Sequence, residues 1–328
     1  MDNDLRPGNN RTLILGLGTL VLFAAFALSV RFFMNVDGIG RPDSALGEDP
    51  AASFDRLTGT PGDTARVVRL GTLSPELDES SGVAVSRRHP EVVWSHNDGG
   101  DGRLYSVRPD GTILARIAVQ AGDAVDWEDL DLGPCPGRAT YDATGTTDCL
   151  YIADVGDNQA ERSTMTIVIV PEPDPTAPGS VPALGSITFR YPDGPADTEA
   201  LALAPGGDLL LITKGTDGSG RLYRLTPDLQ SGGVQDAVLM GPLPTATTEE
   251  GDWITGAAIS PDGRTLAVRN HHAVYLSPLA DPLSAPTLCE IGMHQPQGEG
   301  VDFLDDSRLI LTSEEEGGRA PVVRLRCP

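Results

Sequence analysis

Residues 197–212 read Asp197-Thr198-Glu199-Ala200-Leu201-Ala202-Leu203, then Ala204-Pro205-Gly206-Gly207-Asp208, then Leu209-Leu210-Leu211-Ile212. An acidic lead-in enters a short apolar strand, a Pro-Gly-Gly turn follows, and a second apolar strand returns. Four other lead-ins match the first of these pieces: Glu79–Val85, Asp126–Leu130, Trp253–Ile259 and Gln297–Phe303. With Glu79, Glu128, Glu199, Thr255 and Glu299 taken as equivalent, the repeats are 49, 71, 56 and 44 residues long. Such periods, with insertions, are those of a β-propeller.

The rest of each repeat agrees. Second strands are expected at Val92–Trp94, Leu150–Ala153, Leu209–Ile212, Thr265–Val268 and Leu309–Thr312, and Gly-Arg-Leu-Tyr opens a third strand at Gly102 and again at Gly220. No helical periodicity follows the N-terminal apolar segment. Five lead-ins predict an all-β propeller of five blades; a sixth would have to be hidden in the 71-residue repeat. A β-sandwich would not account for the recurring lead-in. The last repeat is one strand short, and Arg66–Leu70, left over before the first lead-in, would complete it and remove an open edge.

Cys289 then ends the outer strand of blade four and Cys327 the third strand of blade five, so a bridge between them would staple the closing blade. Cys135 and Cys149 flank an insertion that a second bridge would close. There is no Cys-x-x-Cys pair, which argues against zinc. An even cysteine count behind a membrane segment suits an oxidising compartment.

Leu13–Val30 is an uncharged apolar run of 18 residues, preceded by Arg6 and Arg11. With its flanks it predicts a transmembrane signal anchor over 12–34, a cytoplasmic N-terminus over 1–11 and an extracytoplasmic domain. A cleaved signal peptide is the rival, but Ala25-Phe26-Ala27 lies inside the apolar run. Residues 35–63, rich in Gly, Pro, Asp and Ala, read as a flexible tether to a domain over 64–328. The expected location is the cell membrane, crossed once, with the lipid bilayer a partner of 12–34. The formal net charge is −23 and Lys214 is the single lysine, which argues against nucleic acid as a partner.

In a propeller, first strands start, and second strands end, at one face around the central channel. Two sets of residues should converge there. The lead-ins supply Glu79, Asp126, Glu128, Glu199 and Glu299; the second-strand ends supply His96-Asn97-Asp98, Gly156-Asp157-Asn158, Lys214, Arg269-Asn270-His271 and Glu314. Carboxylates gathered about one axis repel unless something offsets them. Lys214 and Arg269 are one answer; a hard cation such as calcium, which takes carboxylate and amide oxygens, is the other. Acidic residues at strand starts also serve simply to cap backbone N–H groups. The candidate ligand-binding residues are Glu79, Asn97, Asp98, Asp157, Asn158, Lys214 and Arg269. The candidate metal ligands are Glu128, Glu199, Glu299 and Glu314, with calcium the expected cofactor. No nucleophile elbow and no phosphate-cradling loop occurs.

Seven motifs occur in order: Glu79–Gly82, His96–Asp98, Asp126–Asp129, Gly156–Arg162, Asp197–Leu201, Thr213-Lys214 and Gln297–Glu299. In these the chain resembles a family of bacterial membrane-anchored β-propeller proteins. It is similar, more distantly, to SdiA-regulated-type and esterase-like-phytase-type propellers. The resemblance implies a calcium-compatible propeller outside the membrane. No lysine or arginine cluster for a polyphosphate accompanies it. The reading favoured here is a tethered domain that binds a small polar ligand, a metal ion or an envelope protein. The alternative is a calcium-dependent hydrolase of phosphate or carboxylic esters, with Glu128 and Glu299 on the metal and Lys214 or Arg269 stabilising developing negative charge.

Overall fold

The computed structural model describes residues 66–136, 148–216, 219–245, 252–291, 295, 297–315 and 320–327. The expected anchor and tether lie outside the described residues. Among those residues there is no α-helix, and no helix long and apolar enough to cross a membrane.

β1 (Val67–Thr72) comes first. Blade one holds β2 (Ser80–Val85), β3 (Val93–Asn97), β4 (Arg103–Val107) and β5 (Ile113–Gln120). Blade two holds β6 (Trp127–Pro134), β7 (Asp148–Asp154) and β8 (Met165–Pro171), and after β9 (Gly179–Pro182) it resumes with β10 (Gly185–Arg190). Blade three is β11 (Thr198–Leu203), β12 (Leu209–Thr213), β13 (Arg221–Leu225) and, beyond β14 (Gln235–Asp236), β15 (Val238–Pro242). Blade four is β16 (Ile254–Ile259), β17 (Thr265–Asn270), β18 (Ala273–Pro278) and β19 (Thr287–Glu290). Blade five is β20 (Gly298–Asp305), β21 (Arg308–Ser313) and β22 (Pro321–Arg326), with β1 as its outer strand.

The innermost strands close a ring, β2 on β6, β6 on β11, β11 on β16, β16 on β20 and β20 on β2. The blades therefore form a five-bladed propeller. β1 runs antiparallel to β22, with Val67 opposite Leu325 and Thr72 opposite Pro321. Among the described residues the 71-residue repeat holds no sixth blade. Its extra length is β9, which leaves blade two and pairs in parallel with β5 of blade one, Ile117 opposite Gly179. β14 does the same from blade three to blade two.

Each blade is buried on both faces, so its second strand is a continuous apolar run rather than an alternating one. Leu209 and Leu211 pack toward blade two, while Leu210 and Ile212 pack toward blade four. Five such inter-blade cores alternate with five blades. Buried carboxylates stitch neighbouring first strands together. Asp129 accepts the N–H of Leu201 at 2.8 Å, Asp131 that of Leu203 at 2.6 Å, and Asp302 that of Val85 at 2.6 Å. The last acid of the Asp-Trp-Glu-Asp motif, Asp129, is thus a fold residue. The cysteines pair as the layout requires, Cys135 with Cys149 and Cys289 with Cys327.

The register corrects one expectation. Ser80, Trp127, Thr198, Ile254 and Gly298 pair with Asn97, Asp154, Thr213, Asn270 and Ser313, and each first strand then gains one extra residue in a bulge. The equivalent of Glu128, Glu199, Thr255 and Glu299 is therefore Ser81, not Glu79, which lies two residues earlier. Ser-Ser-Gly after Glu79 gave no acidic residue at that position to mark the register.

Candidate functional site at the channel mouth

The bulges aim Ser81, Glu128, Glu199, Thr255 and Glu299, one from each blade, into a cavity of about 140 Å³ at the mouth of the channel. The residue after the second strand supplies Asp98, Lys214, His271 and Glu314 around the same cavity. Trp253, Gln297 and Asn158 complete its wall. A bulge re-aims a side chain that a regular strand would turn away. Repeating it at one level of five blades builds a ring.

The structure brings together Asp98, Asn158, Lys214, Glu128, Glu199, Glu299 and Glu314 of the residues expected from sequence. It does not bring Glu79, Asn97, Asp157 or Arg269 to the cavity wall. Glu79 is exposed, and its carbonyl accepts the Asp98 N–H. Asn97 donates to the Glu76 carbonyl at 3.0 Å, holding a turn. Asp157 accepts the N–H groups of Glu161 and Arg162 at 2.8 and 2.9 Å, capping its own loop. Arg269 is fully buried and donates to the carbonyls of Gly300 and Thr312 and to Gln295. It is a staple between blades four and five; Gly298 has no side chain because the guanidinium fills that space. His96 is buried against Trp127, and burial holds its pKa below the usual histidine range.

Two groups of carboxylates share Glu128. Asp98, Asp126 and Glu128 place one oxygen each within 4.8 Å of one another, and so do Glu128, Asp197 and Glu199. Their partners differ. Lys214 Nζ lies 2.5 Å from Glu199 Oε1 and 3.7 Å from Asp197 Oδ2, and Asp197 Oδ1 also accepts the Asp157 N–H at 2.8 Å. No described residue donates a hydrogen bond to the carboxylate of Asp126 or of Glu128, and Asp98 Oδ1 is enclosed without a partner. Glu128 is only 3% exposed, and its carboxylate faces the cavity.

Burial pushes the Glu128 carboxyl well up, and Glu199, Asp98 and Asp126 push it further. Burial likewise raises Glu299 to about 8, against the pull of Arg269 and Lys214. Glu314 rises to about 7, through burial and then Glu299 and Asp98. Burial opposes the charge on Lys214, but Glu199, Asp197 and Glu128 outweigh it and hold the ammonium well above its ordinary range.

The Gly156–Arg162 motif supports the group that lacks donors. A β-carbon on Gly156 would come within 2.1 Å of Glu128 Oε1 and 2.4 Å of Asp126 Oδ2. Arg162 binds the Gly156 carbonyl at 2.7 Å and Asp154 at 2.8 Å. Asp154 in turn accepts the N–H groups of Val125 and Asp126 and so fixes the acidic lead-in. On the far wall His271 Nε2 stands 3.5 Å from Glu299 Oε1, and Gln297 bonds Glu314. Sequence reasoning assigned no role to Ser81, Thr255 or the side chain of Trp253. The legible signal was the spacing of two between Asp126 and Glu128 and between Asp197 and Glu199, repeated at Trp253 and Thr255.

No protein-family model matches the chain, and no curated protein matches it. Among solved structures it is similar to the PQQ-bound aldose sugar dehydrogenase of Streptomyces coelicolor. The identity is 12%, with 79% of this chain and 97% of that one covered and a TM-score of 0.47. It is similar to a glucose dehydrogenase at 14% identity, 80% and 100% coverage and a TM-score of 0.48. It is similar to a gluconolactonase of Xanthomonas campestris at 14% identity, 81% and 90% coverage and a TM-score of 0.41. Likenesses this distant carry no argument about what the channel mouth binds.

Proposed function

We propose that the protein is a membrane-tethered, extracytoplasmic propeller that holds a calcium-class cation at its channel mouth and presents it to a small polar ligand. One observation carries this reading: Glu128 is a buried carboxylate with no hydrogen-bond donor, placed among Asp98 and Asp126, which also lack donors. A buried charge of that kind is either neutralised by a proton or satisfied by a cation. Calcium–oxygen distances of about 2.4 Å let one ion bridge oxygens up to about 4.8 Å apart, and the three oxygens of this group all lie within that limit. Asn158 can add an amide oxygen, and the cavity leaves room for water or a ligand hydroxyl. The carboxylates that surround it disfavour a polyanion and favour neutral or weakly anionic groups.

Calorimetric titration of the metal-stripped chain with calcium tests the reading. Saturable binding is expected, and its loss in Glu128→Gln with the fold retained. Absence of binding at millimolar calcium would overturn it.

A second reading rests on the His271–Glu299 contact at 3.5 Å. A carboxylate that orients an imidazole beside a cation is the arrangement of a metal-assisted hydrolase, with His271 as the proton acceptor. The cation would supply stabilisation of negative charge. Calcium-dependent turnover of aryl phosphate or acetate esters, abolished in His271→Asn, would favour it over binding alone; no turnover leaves the binding reading in place.

A further inference from the structure

The two carboxylate groups that share Glu128 are nearly alike in chemistry, yet among the described residues only one has a basic side chain in contact with its carboxylates. The Lys214 ammonium stands in that one. It touches Glu199 at 2.5 Å and Asp197 at 3.7 Å, and its charge is held by Glu199, Asp197 and Glu128 together, the three members of that group. Its position is fixed from behind. The Lys214 N–H donates to the Asp197 carbonyl at 3.0 Å, its carbonyl accepts the Ile254 N–H at 3.0 Å, and the Trp253 ring lies 5.6 Å from Nζ. Two backbone bonds anchor the residue and the Trp253 ring faces its ammonium, the basic group in contact with Asp197 and Glu199.

We infer that Lys214 is a built-in cation occupying the second of two subsites that share Glu128, so that the channel mouth takes one divalent ion and excludes a second. The inference rests on the cation-binding reading above. Two divalent ions bridged by one carboxylate stand about 3.5–4 Å apart, and their repulsion must be met by further negative ligands. A tethered ammonium at the same place brings half the charge and its own three donors. It pairs with Asp197 and Glu199 without competing for Asp98 and Asp126. It also presents a fixed positive group beside the ion, where a ligand oxygen can bridge both. Lys214 is thus a positioning and specificity-determining residue: it decides how many ions bind.

The test is the calcium stoichiometry of the full-length chain in detergent, by calorimetry after metal stripping. One ion is expected for the native chain, one for Lys214→Arg and two for Lys214→Met. Two ions in the native chain, or one in a folded Lys214→Met, would overturn the inference. Should Lys214→Met not fold, two further variants decide: Glu199→Gln is expected to keep its single ion, and Asp98→Asn to lose it. Loss of the ion in Glu199→Gln places it in the Lys214 subsite and overturns the proposal. No ion at all in the native chain sinks the underlying cation reading instead, and the two failures are therefore distinct.

Discussion

Glu128 lies against Gly156, where a β-carbon would come within 2.1 Å of its Oε1, and Asp126 crowds the same spot. The glycine is the space in which two carboxylates converge. Both oxygens are at the ends of side chains that can swing away, so Gly156→Ala is expected to cost little stability. It is expected to lower calcium affinity by roughly tenfold or more, as loss of ligand support does elsewhere. A titration showing unchanged affinity would separate Gly156 from the site.

The pH dependence has a definite sign. Glu299 and Glu314 have folded-state values of about 8 and about 7 against an ordinary 4.5, chiefly because they are buried. Between those limits the native state keeps protons that the unfolded chain has released, so its stability falls as pH rises. In chelator, the melting temperature is expected to be highest near pH 4.5 and to drop through pH 7 to 8. Added calcium should recover most at the alkaline end, since Glu128, whose carboxyl burial also pushes up, has to give up its proton before it can hold the ion. A melting temperature that climbs with pH in chelator would contradict the burial of these groups.

Asp129 accepts backbone N–H groups of Leu130, Leu201 and Ala257, and so ties blade two to blades three and four. Asp129→Ala strands these donors in a dry interior. The cost is expected to be about 3 kcal/mol or more in urea unfolding. A loss below about 1 kcal/mol would show that water reaches them.

Ring closure depends on β1 against β22 and on the Cys289–Cys327 bridge. Removing both cysteines as the double Ala variant is expected to cost roughly 2–4 kcal/mol. Deleting Val67–Thr72 should do more harm, because it bares the edge of β22. Peptide mapping without reductant should recover Cys289 with Cys327 and Cys135 with Cys149; any cross-pairing contradicts the blade order.

The tether is tested by topology. A phosphatase reporter fused after Pro328 is expected to be active, and the same reporter placed after Arg11 inactive. The inverse result would put the propeller in the cytoplasm and remove the oxidising compartment from the argument.

The sequence by itself determined the class of fold, because burying both faces of a blade forces runs such as Leu209–Ile212 to be apolar throughout. It determined closure as well: a last repeat one strand short and a spare strand at Arg66–Leu70 leave one economical pairing. It brought most of the mouth residues to notice, since carboxylates at recurring lead-ins are rare unless they share an environment. It misplaced Glu79, because a one-residue bulge is invisible in composition and a serine stood where the other repeats have acids or threonine. Only the tertiary structure separated roles among residues of one kind. Glu128 and Asp129 are neighbours in the chain, yet one faces the channel without a donor and the other stitches three blades. Lys214 and Arg269 are both cations at strand ends, yet one reaches the carboxylates and the other is spent on backbone carbonyls beneath them. Side-chain direction at a bulge and the partners each group meets across blades are set by contacts tens of residues apart, and that information exists only once the ring has closed.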